Sequence, residues 1–425
     1  MLTNAPRGTK DILPDTVGHW TYVEEKIREI CKHYGFHELR TPIFEHTELF
    51  QRGIGEGTDV VDKEMYTFTD RGSRSITLRP ENTASAVRAY LQNKLYGDNS
   101  LVKLFYMGSM FRYDRPQAGR MREFHQFGVE SIGAESPLSD AEIIMLAVDF
   151  LQSLGMKDLL LSLNSVGCPR CRPKYREALK AYFREHLGEL CKDCNDRFER
   201  SPLRILDCKI DADKPFMAGA PKITDCLCDE CKDHFERVKN LLTEAGIDFV
   251  LDPRLVRGLD YYTKTAFEIK YLPLGAQSAV AGGGRYDGLI EEMGGKPTPA
   301  VGFATGLERV LLALEKQNLL PENTPAEDAF VVALGDVAKE PAFCLLAKLR
   351  RAGLTASMDF AGRSMKAQMK QANKMHARFA LILGEDEVKE GTVMMKDMVA
   401  SKQEKVPLAE IIETINNQLH SEVDD

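Results

Sequence analysis

The sequence predicts an α+β protein: an antiparallel sheet flanked by helices, interrupted by a cysteine-rich insert and followed by a C-terminal α/β domain. Three observations carry this. Two strand-like stretches, Val102 to Arg112 and Glu123 to Ile132, flank a loop rich in Arg, Pro and Gly and so form a long β-hairpin. Eight of the ten cysteines fall between Cys168 and Cys231. The final quarter of the chain alternates strand and helix, the signature of a small domain with a largely parallel sheet.

In chain order, Trp20, Val23, Ile27, Ile30/Cys31 and Tyr34 recur at helical spacing between a capping Asp15 and a terminating Gly35. The segment from Glu38 to Phe44 is extended, because Pro42 disfavours helix at Thr41. Glycines 53, 55 and 57 read as a loop, Ser75 to Arg79 as a strand, and Asn82 as the start of a helix bearing Ala84, Val87, Leu91 and Leu95. On the second hairpin strand, period two places Phe124, Gln126, Gly128 and Glu130 on one face and His125, Phe127, Val129 and Ser131 on the other. The first set is either one wall of a polar pocket or a solvated strand face. Sheet-like sequence returns at Thr263 to Ile269 and in Gly282 to Gly288, and a helix runs from about Gly306 to Gln317. Pro321 to Pro325 is a linker. Strands at 329–334, 355–358 and 379–383 then alternate with helices at 340–352 and 364–375.

At 425 residues the chain holds roughly two to four domains. Lys and Arg number 56 against 64 Asp and Glu, a net charge of −8, which excludes a polybasic binder but leaves room for one locally basic face. No apolar run approaches the roughly 18 to 20 residues of a membrane span, and the first residues lack an apolar leader, so a cytoplasmic location is expected.

Arg112, Arg115, Arg120 and Arg122 cluster at the hairpin tip, and forked guanidinium groups suit phosphate oxygens. A second run, Leu255 to Thr263, sets Arg257 beside Gly258 and two phenols, Tyr261 and Tyr262. Neither a P-loop nor a convincing dinucleotide fingerprint is present, so a nucleotide would be held another way. Lys366, Lys370, Lys374 and Arg378 are spaced by four and form one stripe if helical, either a solvated face or a phosphate-backbone contact. The thiols Cys168-x-x-Cys171 and Cys191-x-x-Cys194, nineteen residues apart, match a structural zinc pattern, with Cys208, Cys226, Cys228 and Cys231 available for a second site.

Together these motifs resemble the class II aminoacyl-tRNA synthetases, and closely the bacterial histidyl-tRNA synthetase family, over nearly the whole chain. Arg7 to Asp11 matches the family's opening, the segment ending at Pro42 its motif 1, Phe111 to Gln126 its motif 2, and Gly302 to Arg309 its motif 3. Two runs resemble segments specific to histidine enzymes: Arg257-Gly258-Leu259-Asp260-Tyr261-Tyr262 and Gly283-Gly284-Arg285-Tyr286-Asp287-Gly288. Asn82 and Ser109 depart from the family, where Gly and Pro are usual.

The resemblance implies formation of histidyl-adenylate from L-histidine and ATP, with Mg²⁺, then transfer of histidine to the 3′ end of tRNA(His). It implies that Arg112 and Arg257 are catalytic, at the ATP α-phosphate. Arg120, Phe124 and Arg309 complete the ATP site. Glu81, Asn82, Thr83, Gln126 and Glu130, with Arg257, surround the amino acid, and Tyr261, Tyr262 and Tyr286 line its imidazole. Lys366, Lys370, Lys374 and Arg378 face tRNA. The implied domains are a catalytic core at 1–167 and 241–320, an insertion domain at 168–240 and an anticodon-binding domain at 326–425, in a homodimer with no membrane or DNA partner. A synthetase-like regulatory subunit is the main rival; such paralogues typically lose the C-terminal domain and degrade the histidine and ATP motifs, and here both are complete.

Overall fold

The computed structural model describes residues 3–55, 58, 60–97, 101–206, 208, 210–256, 259, 261–321 and 327–420. It divides into two compact units, Met1–Pro321 and Glu322–Asp425. No helix among the described residues is long and apolar enough to cross a membrane.

The first unit is built on an eight-stranded sheet in the order His37–Glu38, Val102–Phe111, Glu123–Ile132, Ala300–Gly306, Ala279–Arg285, Thr263–Lys270, Leu160–Gly167, Val250–Leu251. The six long strands are mutually antiparallel, and a short parallel strand closes each edge. Alternation along Glu123–Ile132 sends Phe127 and Val129 into the core, fully buried, while Gln126 and Glu130 face the other side of the sheet. Helices Val17–His33, Pro137–Ser153, Asp229–Glu244 and Leu307–Lys316 cover the core face. Helix Pro137–Ser153 shows why such segments start where they do: the Ser136 hydroxyl accepts from Leu138 N at 3.3 Å, and Pro137 sits where no N–H is needed.

Helix Val17–His33 ends as expected, with Gly35 at φ +72°, but Thr16 and not Asp15 is its N-cap residue. The expected glycine loop is partly a helix, Thr47–Ile54; Gly53 lies inside it because a Cβ there would stand 3.2 Å from the Ala84 Cβ, a close helix–helix approach. Gly57 lies outside the described residues.

Between strands Leu160–Gly167 and Val250–Leu251 the cysteine-bearing segment folds as helices Arg172–Arg184, Lys192–Arg200 and Asp229–Glu244 with short 3₁₀ turns. Tyr175, Leu179, Phe183, Phe198 and Phe216 give it a core of its own.

The second unit is a five-stranded sheet ordered Ala356–Met358, Glu327–Ala333, Ala377–Leu383, Thr392–Asp397, Gln403–Pro407. Only the first three are parallel; the last two add antiparallel strands that the expectation of a largely parallel sheet missed. Helix Met365–Lys374 packs Ala372 and Met369 against Phe330 and Val332, leaving its lysines exposed.

Candidate active site

On the sheet face opposite the helical core lies a cavity of about 750 Å³, acidic and phenolic at one end and arginine-rich at the other. At the acidic end, Glu81 precedes helix Thr83–Gln92 and accepts its first N–H groups, Thr83 N at 2.6 Å and Ala84 N at 3.0 Å. Burial pushes the Glu81 carboxyl above its ordinary range, and these bonds to the helix N-terminus oppose that rise. Glu130 receives the Tyr106 hydroxyl at 3.1 Å and that of Tyr286 on its other oxygen. Burial pushes Glu130 up to about 8, against the Tyr286 hydrogen bond, with the Glu81 charge adding to the rise.

Two glycines make room for this arrangement. A Cβ at Gly302 would lie 2.1 Å from Glu130 Oε2, and one at Gly128 would lie 2.4 Å from the Tyr106 hydroxyl. Gln126 Oε1 is buried with no hydrogen-bond partner among the described residues, an acceptor suited to an incoming N–H. Tyr261 packs against Tyr262 and Tyr286 at ring separations of 4.7 and 5.6 Å. Two buried carboxyl groups ringed by phenols and amide oxygen form a receptor for a cationic, hydrogen-bonding ligand.

At the other end, Arg112 donates to Pro80 O at 2.8 Å and lies 5.3 Å over the Phe124 ring. Arg309, in the first turn of helix Leu307–Lys316, is held by Gly119 O, Ala279 O and Gln277 Oε1 at 3.0, 2.9 and 2.8 Å. Arg120 pairs with Asp114 and stands 3.8 Å from Glu64. Burial lowers the pKa of Arg309, and the Arg120 and Arg112 charges lower it further. Arg112 is lowered by burial too, with Glu64 and Glu81 working against it. Guanidinium groups that repel one another in a shared cavity are relieved by a polyanion.

Of the residues expected at the amino-acid and nucleotide sites, Glu81, Thr83, Arg112, Arg120, Phe124 and Gln126 all line this cavity, as do Glu130, Tyr261, Tyr262, Tyr286 and Arg309. Asn82 does not. It is buried, and its Oδ1 accepts from the Thr41 hydroxyl at 2.7 Å and from Arg79 at 3.2 Å, so its side chain is engaged with those residues and does not line the pocket. Arg257 lies outside the described residues. Tyr106 and Gln277 were missed. For Tyr106 a signal existed: it pairs in register with Gly128, the position that yields space for its ring.

Two further expectations are corrected. Lys366, Lys370 and Lys374 share the exposed side of one helix, but Arg378 lies beyond it in strand Ala377–Leu383, bonded to Asp397 at 2.9 Å, so spacing by four does not extend the stripe to it. Nor do Cys168, Cys171, Cys191 and Cys194 meet. The fold gathers Cys168 and Cys171 with Cys228 and Cys231, and Cys191 and Cys194 with Cys208 and Asp211, because each Cys-x-x-Cys turn meets partners far along the chain and not the next turn. Cys226 joins neither group.

An antiparallel six-strand platform, with an arginine-bearing hairpin and a terminal helix arginine over one cavity, defines the catalytic domain of a class II aminoacyl-tRNA synthetase. The sequence model of histidyl-tRNA synthetases matches residues 8–190 and 203–310, and that of the anticodon binding domain matches residues 328–418. The chain is 54% identical over 419 residues to the histidine–tRNA ligase of Pelotomaculum thermopropionicum, covering 99% of both proteins. It is 56% identical over 413 residues to that of Moorella thermoacetica, covering 97% of this chain and 98% of the relative. The apo histidyl-tRNA synthetase of S. aureus superposes with a TM-score of 0.82 at 41% identity, covering 97% of this chain and 99% of that one. The chain belongs to the histidyl-tRNA synthetase family.

Proposed function

We propose that the two ends of the cavity divide the substrates of histidine–tRNA ligation between them. As a member of its family the chain is an ATP-dependent ligase that activates L-histidine to histidyl-adenylate and transfers histidine to the 3′ end of tRNA(His). The carrying observation is the meeting of buried Glu81 and Glu130 with Arg112, Arg120 and Arg309 in one cavity.

In this reading Glu81, Thr83, Gln126 and Glu130 take the α-ammonium and its surroundings, while Tyr261, Tyr262 and Tyr286 hydrogen-bond and enclose the imidazole. Arg309 and Arg120 hold the bent triphosphate, with Mg²⁺ as part of that substrate, and Phe124 offers the base a stacking face. A histidine carboxylate oxygen attacks the α-phosphorus, and the bond to the bridging oxygen breaks to release pyrophosphate. Arg112 neutralises charge that accumulates on the α-phosphate in that step. Arg257 shares this role on the strength of the resemblance. The tRNA terminal hydroxyl then attacks the adenylate carbonyl, releasing AMP.

Residues 326–425 are assigned to the anticodon, residues 168–240 to an insertion domain whose thiols hold structural zinc, and residues 1–167 with 241–320 to the catalytic core. Ile43 and Phe44, exposed by 48% and 52%, fit burial in a homodimer, which sedimentation analysis tests. Pyrophosphate exchange into ATP, assayed with each amino acid in turn, tests the central reading: only histidine should support it.

A further inference from the structure

The two thiol groups of the insert differ in what surrounds them. In the first, the four sulfurs of Cys168, Cys171, Cys228 and Cys231 lie within 4.8 Å of one another, with Cys168 at 3.6 Å from Cys171 and 3.9 Å from Cys228. A tetrahedral zinc bound at about 2.3 Å sets its sulfurs about 3.8 Å apart, so these spacings are those of an ion's shell and not of a disulfide. The turn is shaped to match: Cys171 N and Arg172 N both donate to Cys168 O, at 2.9 and 3.1 Å, and Cys228 N donates to Cys171 Sγ at 3.2 Å. In the second group, Cys191 and Cys208 stand 3.8 Å apart beside Cys194 and buried Asp211, whose carboxylate also accepts Cys191 N.

Around the first group, three contacts lead from the thiols toward the phenolic wall of the histidine pocket. Arg172, next to Cys171, donates its guanidinium to the carbonyl of Tyr262. Arg170 pairs with Glu230, tying one Cys-x-x-Cys turn to the other, and Glu230 also holds Lys264 at 2.9 Å. Lys264 is buried, with φ at +51°, two residues beyond Tyr262. Cys228 is the N-cap residue of helix Asp229–Glu244 and Cys231 lies in its first turn. One turn on, His234 bonds Asp140 at 3.2 Å, and Asp140 grips the fully buried Arg285, the neighbour of Tyr286.

We propose that the insert carries two separate structural zinc sites, Cys168/Cys171/Cys228/Cys231 and Cys191/Cys194/Cys208/Asp211, and that the first is a clasp positioning the Tyr262 and Tyr286 wall of the histidine pocket. The second serves the insert's own core. This rests on the reading that the thiols hold zinc, and it adds how they are grouped and what one group does. The ligands of the first site act through Arg172 and His234 and do not themselves line the cavity.

The test uses the full-length chain purified without chelator, with zinc measured by elemental analysis and KM values taken from pyrophosphate exchange. Wild type and Cys226→Ser should carry two zinc ions per chain, Cys228→Ser and Cys194→Ser one each, and Cys171→Ser/Cys191→Ser none. Cys228→Ser should raise the KM for histidine roughly ten-fold or more, since small misplacements of binding groups are costly, while the KM for ATP stays within about two-fold. Cys194→Ser should leave the histidine KM within about two-fold of wild type. Arg172→Gln, which removes the tie to Tyr262 without touching a ligand, should keep both zinc ions and still raise the histidine KM; it carries the test if Cys228→Ser does not fold. A metal-free wild type overturns the zinc reading altogether. One remaining ion in the Cys171→Ser/Cys191→Ser double variant overturns the grouping. Correct zinc losses with an unmoved histidine KM in Cys228→Ser and Arg172→Gln overturn the clasp.

Discussion

The Glu308 carboxylate accepts the His125 backbone N–H at 2.9 and 3.1 Å and meets its ring Nδ1 at 3.0 Å. One residue from motif 3 thereby fixes a strand of motif 2, and Trp20 of the first helix packs edge-on to the same imidazole at 4.9 Å. Phe124 and Gln126, the neighbours of His125 that line the cavity, are held in place by this contact, and Glu308 lines the cavity with them.

The pair carries a pH signature. Burial disfavours the imidazolium, but the Glu308 hydrogen bond and charge outweigh it, so the His125 pKa is raised. Stability from a raised histidine pKa is present in full below an unfolded value of about 6.5 and is lost as pH rises through the folded value. Glu308→Gln is therefore expected to lower the melting temperature more at pH 6 than at pH 9. An equal loss at both would assign the pair's stability to the backbone bond alone.

Glu130 predicts a proton coupled to histidine binding. With its carboxyl raised to about 8, the empty pocket holds it mostly protonated at pH 7. An incoming ammonium favours the ionised form, so binding at pH 7 should release up to about one proton, and affinity should rise as pH climbs toward 8. Calorimetry in buffers of different ionisation enthalpy measures this. Glu130→Gln should abolish the release and cost roughly 1.5–3 kcal/mol of histidine binding, the usual range for a charge-assisted hydrogen bond.

Gly302→Ala is expected to be both destabilising and inactive. Its Cβ would meet Val129 O at 2.3 Å as well as Glu130, so the obstruction is partly backbone and cannot be relieved by a rotamer change. Overpacking of this kind costs about 1–3 kcal/mol. Thermal unfolding together with pyrophosphate exchange checks both effects; a variant with normal melting and normal histidine KM would mean that the strands separate easily here.

What the sequence made legible follows from range. The face shared by Phe124, Gln126 and Glu130 needs only period two along one strand, and the lysine side of Met365–Lys374 needs only helical spacing. The cysteine grouping was not legible because Cys171 and Cys228 are brought together by a tertiary return across 57 positions, which spacing does not encode. Helix Thr47–Ile54 was hidden by Gly53, whose lack of a side chain answers to Ala84 on another helix and not to a local turn. Asn82 looked like a pocket residue from its neighbours Glu81 and Thr83, yet the chain turns there and aims Oδ1 at Thr41 and Arg79.

The lysine helix and Arg378 should separate in their effects. Lys366, Lys370 and Lys374 are exposed on one helix face, free to approach phosphates. Arg378 is 12% exposed and bonded to Asp397 across neighbouring strands, so its charge is already engaged within the sheet. Changing the three lysines to Gln should weaken tRNA binding and reduce the slope of log affinity against log salt by about two, at roughly 0.7 for each single-strand phosphate left without its cation. Histidyl-adenylate formation should be unaffected, since these lysines line no part of the catalytic cavity. Arg378→Gln should instead lower the melting temperature and leave the salt slope unchanged. A slope that falls with Arg378→Gln and holds with the lysine variant would place the tRNA backbone at the start of the central strand and not along the helix.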